Sequence, residues 1–433
     1  MSGYVSHLSG SAIACQIATI GLLLAGVTGA GARITVAGTA TETVLYRFAG
    51  GADGAHPVAA LLGAAGGVFY GTTQSGGSYG YGTVFKLIPS GSAYTKTTLY
   101  NFAGGSDGAT PLGSVIADSN GTLYGTTSAG GNCSVVSGGC GTVFALIPTG
   151  AAYAERILHR FGGHSEGLEP MGTLIADTSG ALYGTTAFGG LAGNYGTAFR
   201  LVHAANGYVA QVLYRFRSGG DGANPIDGDG LLPTAAGTLF GTTRNGGSSL
   251  CASGCGTVFS LTPEAGAYNE HIVHRFTQAD GANPSASVII DASGALYGTT
   301  EMGGQFAFGT VFRLAPTGLV TDLHAFSGVA PDGFEPTTRL IGDAKGALYG
   351  TTAYGGSCDI APLYSCGNIF KLTPTAKGFS ESILVNFSGG SDGAIPQASL
   401  ITSSAGTLYG TTAYGGGSPA CIGGCGTIYK VVQ

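Results

Sequence analysis

A five-residue segment, Leu-Tyr-Gly-Thr-Thr, recurs seven times and constrains the fold more than any other feature of the sequence. One copy is Leu123–Thr127. With small changes, the copies end at Thr73, Thr127, Thr186, Thr243, Thr300, Thr352 and Thr412. Their glycines are separated by 54, 59, 57, 57, 52 and 60 residues. Periods near this length are typical of propeller blades or solenoid turns. The sequence therefore predicts a repeat protein that forms one assembly.

Each repeat contains four strand-like pieces, which we call A, B, C and D. In the second repeat they are residues 112–116 (A), 122–127 (B), 141–146 (C) and 156–161 (D). Such runs, rich in Val, Ile, Thr, Tyr and Phe and bounded by Gly, Asp or Pro, are typical of antiparallel strands joined by tight turns. No segment combines a sustained helical period with helix start and stop signals. The sequence therefore predicts an all-β protein.

Seven repeats of four antiparallel strands predict a single seven-bladed β-propeller over residues 33–433. The repeat region opens with a D piece at residues 45–48 and closes with a C piece at residues 426–431. We therefore expect the N-terminal D strand to complete the last blade, which residues 396–433 otherwise build. An open solenoid would instead leave both ends exposed and would favour polar capping repeats, which the sequence lacks.

The order of the motifs resembles a known family. Asp-Gly-Ala-x-Pro precedes Leu-Ile-x-Asp-x-x-Gly-x-Leu-Tyr-Gly-Thr-Thr, followed by Gly-Gly, Gly-Thr-Val-Phe-x-Leu-x-Pro and Leu-Tyr-x-Phe. This pattern resembles the GloVer tandem repeat of bacterial secreted and surface proteins, over residues 43–433. The resemblance implies no established activity. Family members carry varied C-terminal anchoring signals, whereas this sequence ends at Gln433 within the last strand, so we expect release into the periplasm or the medium.

The first 32 residues differ from the repeats and predict a secretory signal peptide. Residues 17–27 form an apolar run, and Ala30-Gly31-Ala32 offers a small-x-small cleavage pattern. The run is too short for a membrane span, so we expect no stable membrane insertion of the mature chain. The segment has no Lys or Arg before this run, only His7. A disordered or membrane-tethering N-terminus is therefore the alternative.

The cysteines also indicate export. Apart from Cys15 they fall in close pairs, each between strands B and C: Cys133 with Cys140, Cys251 with Cys255, Cys358 with Cys366, and Cys421 with Cys425. Four disulfides within loops are the economical interpretation, and they require an oxidising compartment. A zinc site would need ligands from different repeats, and no Cys-x-x-Cys or paired His suggests one. We expect no metal and no cofactor.

The charge of the chain narrows the choice of partners. Only 9% of the residues are charged, the net charge is −6, and no basic run is present. Nucleic acid binding therefore has little electrostatic support. Because 44% of the residues are hydrophobic, enough apolar surface exists for a folded core. We expect a monomer whose partner is a glycan or a cell-surface protein.

The long connections of the propeller predict where a partner binds. D→A and B→C connections emerge on the same face, and loops on a rigid scaffold commonly carry binding sites. The B→C loops place aromatic residues beside Gly and Ser, a composition typical of recognition loops, although these rings could instead cover blade edges. Residues before proline in the D→A connections include a His and two Glu. The candidate binding residues are Tyr354, Tyr414, Phe188, Tyr195, Glu169, Glu335 and His56.

Two classes of function fit this face. A secreted binding protein is favoured, and a polysaccharide-acting hydrolase or lyase that uses His56, Glu169 and Glu335 is the alternative. Random drift in exposed loops explains these three residues equally well. No Gly-x-Ser-x-Gly, phosphate-loop or His-Glu-x-x-His motif is present, so no catalytic residue is assigned. The acids of the D→A connections and of the Asp-x-x-Gly turns are predicted to accept hydrogen bonds in their own turns.

Overall fold

The computed structural model describes residues 35–36, 40–91, 93–190, 193–205, 207–226, 228–264, 267–356 and 365–433. These residues form seven antiparallel sheets of four strands each, with one extra strand on one of them and a separate two-stranded pair. The predicted seven-bladed propeller is confirmed. The proposed signal peptide, residues 1–32, lies outside the described residues.

Strands are numbered in chain order, and each blade runs from its A strand to its D strand. Blade 1 contains β3 (Leu62–Ala64), β4 (Val68–Thr73), β5 (Thr83–Ser90) and β6 (Ala93–Asn101). Blade 2 contains β7 (Ile116–Ala117), β8 (Leu123–Thr127), β9 (Thr142–Thr149) and β10 (Ala152–Arg160). Blade 3 contains β11 (Ile175–Ala176), β12 (Leu182–Thr186), β13 (Thr197–Ala204) and β14 (Gly207–Arg215). Blade 4 contains β15 (Leu232–Pro233), β16 (Leu239–Thr243), β17 (Thr257–Glu264) and β18 (Ala267–Arg275).

Blades 5 to 7 follow the same order, with additions at both ends of the chain. Blade 5 contains β19 (Ile289–Ile290), β20 (Leu296–Thr300), β21 (Thr310–Leu314) and β22 (Val320–Ala325). Blade 6 contains β24 (Ile341–Gly342), β25 (Leu348–Thr352), β27 (Asn368–Thr375) and β28 (Gly378–Asn386), with β1 (Thr35–Val36) beside β28. Blade 7 contains β29 (Ile401–Thr402), β30 (Leu408–Thr412), β31 (Thr427–Val432) and the N-terminal β2 (Thr41–Arg47). The separate pair is β23 (Gly333–Phe334) with β26 (Tyr354–Gly355).

The N-terminal strand closes the ring. β2 pairs antiparallel with β31, from Thr41 opposite Val432 to Arg47 opposite Thr427. The backbone of Phe48 continues the pairing, because its N–H donates to the carbonyl of Gly426 (3.0 Å). The predicted completion of the last blade is therefore confirmed. The sequence did not predict β1, which lies parallel to β28 and adds a fifth strand to blade 6.

The recurring Gly-Thr-Thr segment couples six of the seven blades to the next, whereas the Thr185 hydroxyl of blade 3 has no hydrogen-bond partner among the described residues. In blade 1 the Thr72 hydroxyl donates to the carbonyl of Gly113 (3.1 Å), which precedes the A strand of blade 2. The hydroxyls of Thr73 and Thr83 lie 2.8 Å apart and join strands B and C. A Cβ on Gly71 would lie 2.5 Å from the ring of Phe85, so only glycine fits beneath that ring. The repeat is thus a structural requirement of the blades.

The core lies between neighbouring blades. At six boundaries the phenylalanine at the end of a D strand packs edge-on against a phenylalanine in strand C of the next blade, as Phe48 does against Phe85 at 5.4 Å, and at the seventh Phe387 packs at a tilt against Tyr429. Both side chains are almost fully buried. The described residues contain no α-helix, only two three-residue 3-10 turns, so none is long and apolar enough to cross a bilayer.

Candidate binding face

The D→A connection of each blade lies between two B→C loops. At blade 1 the N–H of His56 donates to the carbonyl of Cys425 in the preceding blade (2.9 Å), and its own carbonyl accepts from Gln74 in the same blade (3.0 Å). The residue before proline adopts this arrangement in all seven blades, with φ between 54° and 58°. The ring consists of His56, Thr110, Glu169, Asn224, Asn283, Glu335 and Ile395. The predicted loop-rich face is therefore a continuous ring of hydrogen-bonded loops.

Four of the predicted binding residues converge on one side of this ring. The His56 ring lies 5.0 Å from that of Tyr414, and its Nδ1 lies 2.8 Å from the Ser75 hydroxyl. Burial raises the pKa of Tyr354, and the nearby Glu335 carboxylate and Tyr414 raise it further. Burial lowers the pKa of His56. The group therefore joins residues of blades 6, 7 and 1.

An aromatic row continues from Tyr354. The ring of Tyr354 stacks on Phe334 with centroids 5.4 Å apart and planes inclined at 24°, and Phe334 lies 5.7 Å from Phe308. Phe308 is 42% exposed. The row therefore presents aromatic surface to solvent at its Phe308 end.

An ion pair extends the same group toward blade 4. The Arg244 guanidinium lies 2.6 Å from the Glu301 carboxylate, which is only 9% exposed. Burial raises the pKa of Glu335, the Glu301 carboxylate raises it further, and Arg244 lowers it. The carboxyl of Glu335 therefore lies near charged side chains of blades 4 and 5, of which Glu301 is buried.

Three asparagines complete the arrangement. The side-chain amide of Asn245 donates to the Asn224 side-chain oxygen (3.0 Å), and that of Asn283 donates to the carbonyl of Arg244 (2.9 Å). We use the name crescent for the group that these contacts connect across blades 4, 5, 6, 7 and 1. Its members are Asn224, Arg244, Asn245, Asn283, Glu301, Phe308, Phe334, Glu335, Tyr354, Tyr414 and His56.

The other three predicted binding residues lie on blade 3, apart from the crescent. Phe188 pairs through its backbone with Leu168 and packs into the core between blades 2 and 3. Tyr195 packs into the core between blades 3 and 4. Burial raises the pKa of Glu169. All three are half-buried, and Tyr354 and Tyr414 also pack against a core cluster, so much of the surface of these aromatic rings belongs to the scaffold.

The sequence did not lead us to predict Phe334 as a site residue, nor the ion pair between Arg244 and Glu301. Phe334 stands where five of the other six blades have alanine after Asp-Gly or its equivalent, and that break in the repeat could have revealed it. Arg244 and Glu301 follow Gly-Thr-Thr, where the other blades have Gln, Ser or Ala. Their pairing could not be found from the sequence, because 57 residues separate them.

The central channel is crossed by one acidic side chain. Asp229 Oδ2 accepts from the Ser399 hydroxyl (2.6 Å) and from the Arg339 N–H (3.2 Å), so it joins blade 4 to blades 7 and 6. The approach to the A strand of blade 4 is two residues longer than in the other blades, which lets Asp229 reach that far.

A second concave surface lies on the opposite face. A cavity of about 590 Å³ is lined by the A strands of blades 5 and 6 and by their following turns, including Ile289, Tyr297, Arg339 and Ile341. Five of its twelve lining residues are aliphatic, and Asp291 and Asp343 also line it. The Asp291 carboxylate accepts from the hydroxyl and N–H of Ser293, and such hydrogen bonds hold its pKa at about 2. This acid stabilises its own turn, as predicted.

The acids of the D→A connections also serve their own turns. Asp53 Oδ2 accepts from the N–H of Ala49 (2.7 Å), and the Tyr46 hydroxyl donates to its other oxygen (2.8 Å). Equivalent backbone bonds recur in every blade. The seven acids are Asp53, Asp107, Glu166, Asp221, Asp280, Asp332 and Asp392. They lie beside the outer D strands and do not line the crescent.

Three disulfides link the ends of B→C loops. They join Cys133 to Cys140, Cys251 to Cys255, and Cys421 to Cys425, as predicted. The fourth predicted pair includes Cys358, which lies outside the described residues. Each observed bridge lies near the ring of loops, because the backbone carbonyls of Cys140, Cys255 and Cys425 accept hydrogen bonds from the backbone N–H groups of residues in that ring.

The fold and the ring of loops define a seven-bladed propeller with a polar, partly aromatic crescent on one face. The chain belongs to the Gloeobacter/Verrucomicrobia repeat family, whose profile matches residues 23–253, 134–364 and 229–432. The resemblance identified from the motifs is thereby confirmed. No curated protein shows a significant sequence match.

Solved structures share the general architecture at low sequence identity. A protein from Lactobacillus plantarum is 15% identical, with a TM-score of 0.45, over 80% of this chain and 88% of its own. A putative glucose dehydrogenase from Thermus thermophilus is 14% identical, with a TM-score of 0.42, over 74% and 96%. The Trypanosoma rangeli sialidase is 9% identical, with a TM-score of 0.42, over 92% and 60%. Similarity at this level carries no argument about function.

Proposed function

We propose that the protein is an exported binding protein that holds a glycan at the crescent. The observation that carries the proposal is the series of hydrogen bonds, ion pair, electrostatic interactions and ring contact that runs from Asn224 through the Arg244–Glu301 pair to Tyr354, Tyr414 and His56. Five consecutive blades contribute to it. A site assembled from that many rigid blades is organised before a ligand arrives, which lowers the ordering cost of binding.

The chemistry of the crescent suits a hydroxylated ligand. Carboxylate and amide oxygens accept from sugar hydroxyls, and amide and guanidinium groups donate to them. The row of Phe308, Phe334 and Tyr354 offers an aromatic surface that can cover the apolar side of a sugar ring. The low overall charge argues against a polyanionic ligand.

The disulfides support a role outside the cytoplasm. Three bridges join cysteines that are four or seven residues apart in the sequence, and disulfides persist in oxidising compartments. We therefore propose that the protein works in the periplasm or the medium, and we propose separately that it is a monomer.

A polysaccharide-acting enzyme is the second candidate, and Glu335 is the observation that favours it. Its pKa is raised by burial and by Glu301, whereas Glu301 has the Arg244 guanidinium in direct contact, which opposes the rise in pKa that burial causes there. Two carboxyls in different environments are the arrangement that acid–base hydrolysis uses. In this alternative Glu335 is the general acid.

Glycan binding tests the proposal. The full chain is screened on an array of bacterial and plant glycans, and retained ligands are titrated against the double variant Tyr354→Ala, Tyr414→Ala. We expect an affinity at least about tenfold lower, since aromatic anchors contribute 1–2 kcal/mol or more in recognition sites. The matched control is Tyr79→Ala with Phe306→Ala, two exposed rings on other B→C loops, and it should bind normally. Failure to retain any glycan, or equal loss in both double variants, would overturn the proposal.

Turnover separates the two candidates. The retained glycans are incubated with the wild type and with Glu335→Gln, and reducing ends and unsaturated products are measured. A pure binding protein releases neither. Product formation by the wild type that disappears in Glu335→Gln, while binding persists, establishes the enzyme.

A further inference from the structure

Several blade boundaries contain a small polar cluster outside the crescent. It consists of three side chains. One is the Tyr or His near the end of a D strand, the second is the acid of the D→A connection, and the third comes from the D strand of the next blade. At the boundary of blades 7 and 1 these are Tyr46, Asp53 and Lys96. The clusters differ in whether they contain a positive charge.

A lysine ammonium fills the cluster between blades 7 and 1. Lys96 Nζ lies 2.9 Å from Asp53 Oδ1, 2.6 Å from the Asp53 carbonyl oxygen and 3.0 Å from the Thr98 hydroxyl. Its side chain is only 2% exposed. The fold therefore has room for a buried cation at this position, with oxygen atoms directed toward it.

The cluster between blades 5 and 6 has the same place in the fold but carries two acids. Glu381 of β28 replaces the lysine, and it faces Asp332 and the imidazole of His324. The side chains of Asp332 and Glu381 are each 1% exposed. Neither carboxylate oxygen of Glu381 has a hydrogen-bond partner. Burying an ionised carboxyl without such partners is costly, and a cation bound beside it would offset that cost.

The distances are long for hydrogen bonds and match the separations between ligand atoms at a metal ion. His324 Nε2 lies 3.4 Å from Asp332 Oδ1 and 3.5 Å from Glu381 Oε1. Ligand atoms of a tetrahedral zinc ion, at 2.0–2.2 Å from the metal, lie about 3.3–3.6 Å from one another. The three atoms lie within 4.8 Å of one another, and the repulsion between the two carboxylates would be removed by a shared cation. By contrast, His274 Nε2 lies 2.9 Å from Asp280 Oδ2, an ordinary hydrogen bond.

The surroundings hold the ligands in place. Asp332 Oδ2 accepts from both the N–H (2.7 Å) and the hydroxyl (2.8 Å) of Ser327, and Oδ1 accepts from the N–H of Gly333 (2.9 Å). The His324 ring packs edge-on against Phe326 at 4.7 Å. Outer contacts of this kind orient the ligands of metal sites. The His324 side chain is 12% exposed, which leaves an approach for the ion beside the imidazole.

We propose that His324, Asp332 and Glu381 form a site for a divalent transition metal ion, best filled by zinc, that joins blades 5 and 6. The imidazole nitrogen favours zinc over magnesium or calcium, which prefer oxygen ligands alone. Water or the second oxygen of Glu381 supplies the fourth ligand. Because two of the three side chains are almost fully buried, the ion stabilises the blade boundary and takes no part in the crescent.

Calorimetry and thermal unfolding of the full chain test the site. After treatment with a chelator and dialysis, the wild type should bind one equivalent of zinc, and its melting temperature should rise with zinc concentration because only the folded state forms the site. Cobalt should replace zinc and produce the visible absorption of a four-coordinate ion. Absence of one-to-one binding at micromolar zinc would overturn the proposal.

Two variants locate the ion. His324→Tyr introduces the residue that occupies this position at other boundaries, such as Tyr46 and Tyr100, so the packing is retained while the nitrogen ligand is lost. Glu381→Gln preserves shape and removes a charge. Each should weaken zinc binding at least about 100-fold and abolish the thermal shift.

The matched control is Glu270→Gln. Glu270 has the equivalent place between blades 3 and 4, beside Tyr214 and Asp221, where no imidazole is present. It should bind zinc as the wild type does. Zinc binding that persists in both His324→Tyr and Glu381→Gln, or that is lost equally in Glu270→Gln, would place the ion elsewhere and overturn the proposal.

Discussion

At the scale of single residues, close approaches between loops decide which side chains are possible. Gly196 precedes the C strand of blade 3 with φ of +92°, and a Cβ there would lie 2.4 Å from the carbonyl oxygen of Thr186 and 2.7 Å from Pro225. The proline belongs to the next blade. The glycine therefore permits contact between two blades as well as an unusual backbone conformation.

Replacing Gly196 with alanine should destabilise the propeller by about 3 kcal/mol or more, because conformational strain of about 1 kcal/mol adds to a clash with backbone atoms. Gly180 is the control, since its φ is +81° and a Cβ there meets no atom within 4 Å. Gly180→Ala should cost only about 1 kcal/mol. Denaturant unfolding measures the free energy of unfolding of both variants. Equal decreases in the two variants would show that the contact with Pro225 does not contribute to stability.

Buried carboxyls between blades predict a dependence of stability on pH. Burial raises the pKa of Glu155 to about 7, and the neighbouring Asp107 carboxylate contributes while Arg160 opposes it. Burial and Asp221 likewise raise the pKa of Glu270 to about 7. A carboxyl whose pKa is higher in the folded state than in the unfolded state stabilises the fold below the unfolded value. That stabilisation is lost as the pH rises from about 4.5 through 7.

Glu155→Gln should therefore flatten the decline in stability between pH 4.5 and 8. At pH 8 we expect the variant to be more stable than the wild type by about 1 kcal/mol, a discounted value because solvent screens this half-buried group. Glu270→Gln should act in the same direction, and the two effects should add because the boundaries are separate. Urea unfolding across the pH range measures this. If the free energy of unfolding of the double variant declined with pH as steeply as that of the wild type, the raised pKa values of Glu155 and Glu270 would not be the cause of the decline.

At the scale of elements, the strand that matters most to closure is β2. It forms the outer edge of blade 7, where its Tyr46 ring packs against Phe48 at 5.2 Å and its backbone covers β31. Without β2, β31 would present a row of unpaired N–H and C=O groups, the kind of edge that promotes association. β1 by contrast adds only two residue pairs to an already complete blade.

Truncations should separate these two strands. A chain that begins at residue 40 loses β1 and should keep a melting temperature within about 3 °C of that of a chain that begins at residue 33, since few contacts are removed. A chain that begins at residue 48 loses β2 as well. It should unfold at least about 10 °C lower and should self-associate, because several kcal/mol of strand pairing and packing are lost. Calorimetry and light scattering provide the measurements, and similar behaviour of both truncations would contradict closure by β2.

At the scale of the whole molecule, the closed ring of blades contributes more to the fold than the disulfides do. The three observed bridges close short loops, and each should stabilise the protein by about 2–2.5 kcal/mol in the chain-entropy account. The blades themselves are joined by the phenylalanine cores and by the Gly-Thr-Thr hydrogen bonds. Reduction should therefore loosen the ring of loops before it disrupts the blades.

Reduced protein should retain its β-sheet circular dichroism at 25 °C and unfold in one transition at a lower temperature. Ligand binding at the crescent should weaken more than the sheet signal, because the carbonyls of bridged cysteines hold the ring residues. The oxidised form, measured in parallel, is the control. Loss of the sheet signal on reduction alone would show that the bridges are needed for the blades.

The sequence by itself determined the number of blades, the strand order and the closure by the N-terminal strand. These follow from local patterns repeated seven times, since each Leu-Tyr-Gly-Thr-Thr copy must satisfy the same contacts, as at Gly71 and Thr73. It also located the loop-rich face and three of the disulfides, because cysteines only four or seven residues apart can pair without knowledge of the fold.

Only the tertiary structure decided which irregular residues meet. Arg244 reaches Glu301 on the next blade, Asp229 crosses the channel to Ser399, and His324 faces Glu381. These partners are 57 to 170 residues apart, and each depends on how far a side chain extends from a blade whose backbone resembles all the others. A repeat pattern predicts the backbone of every blade equally well. It cannot predict contacts that form because one blade differs from its neighbours.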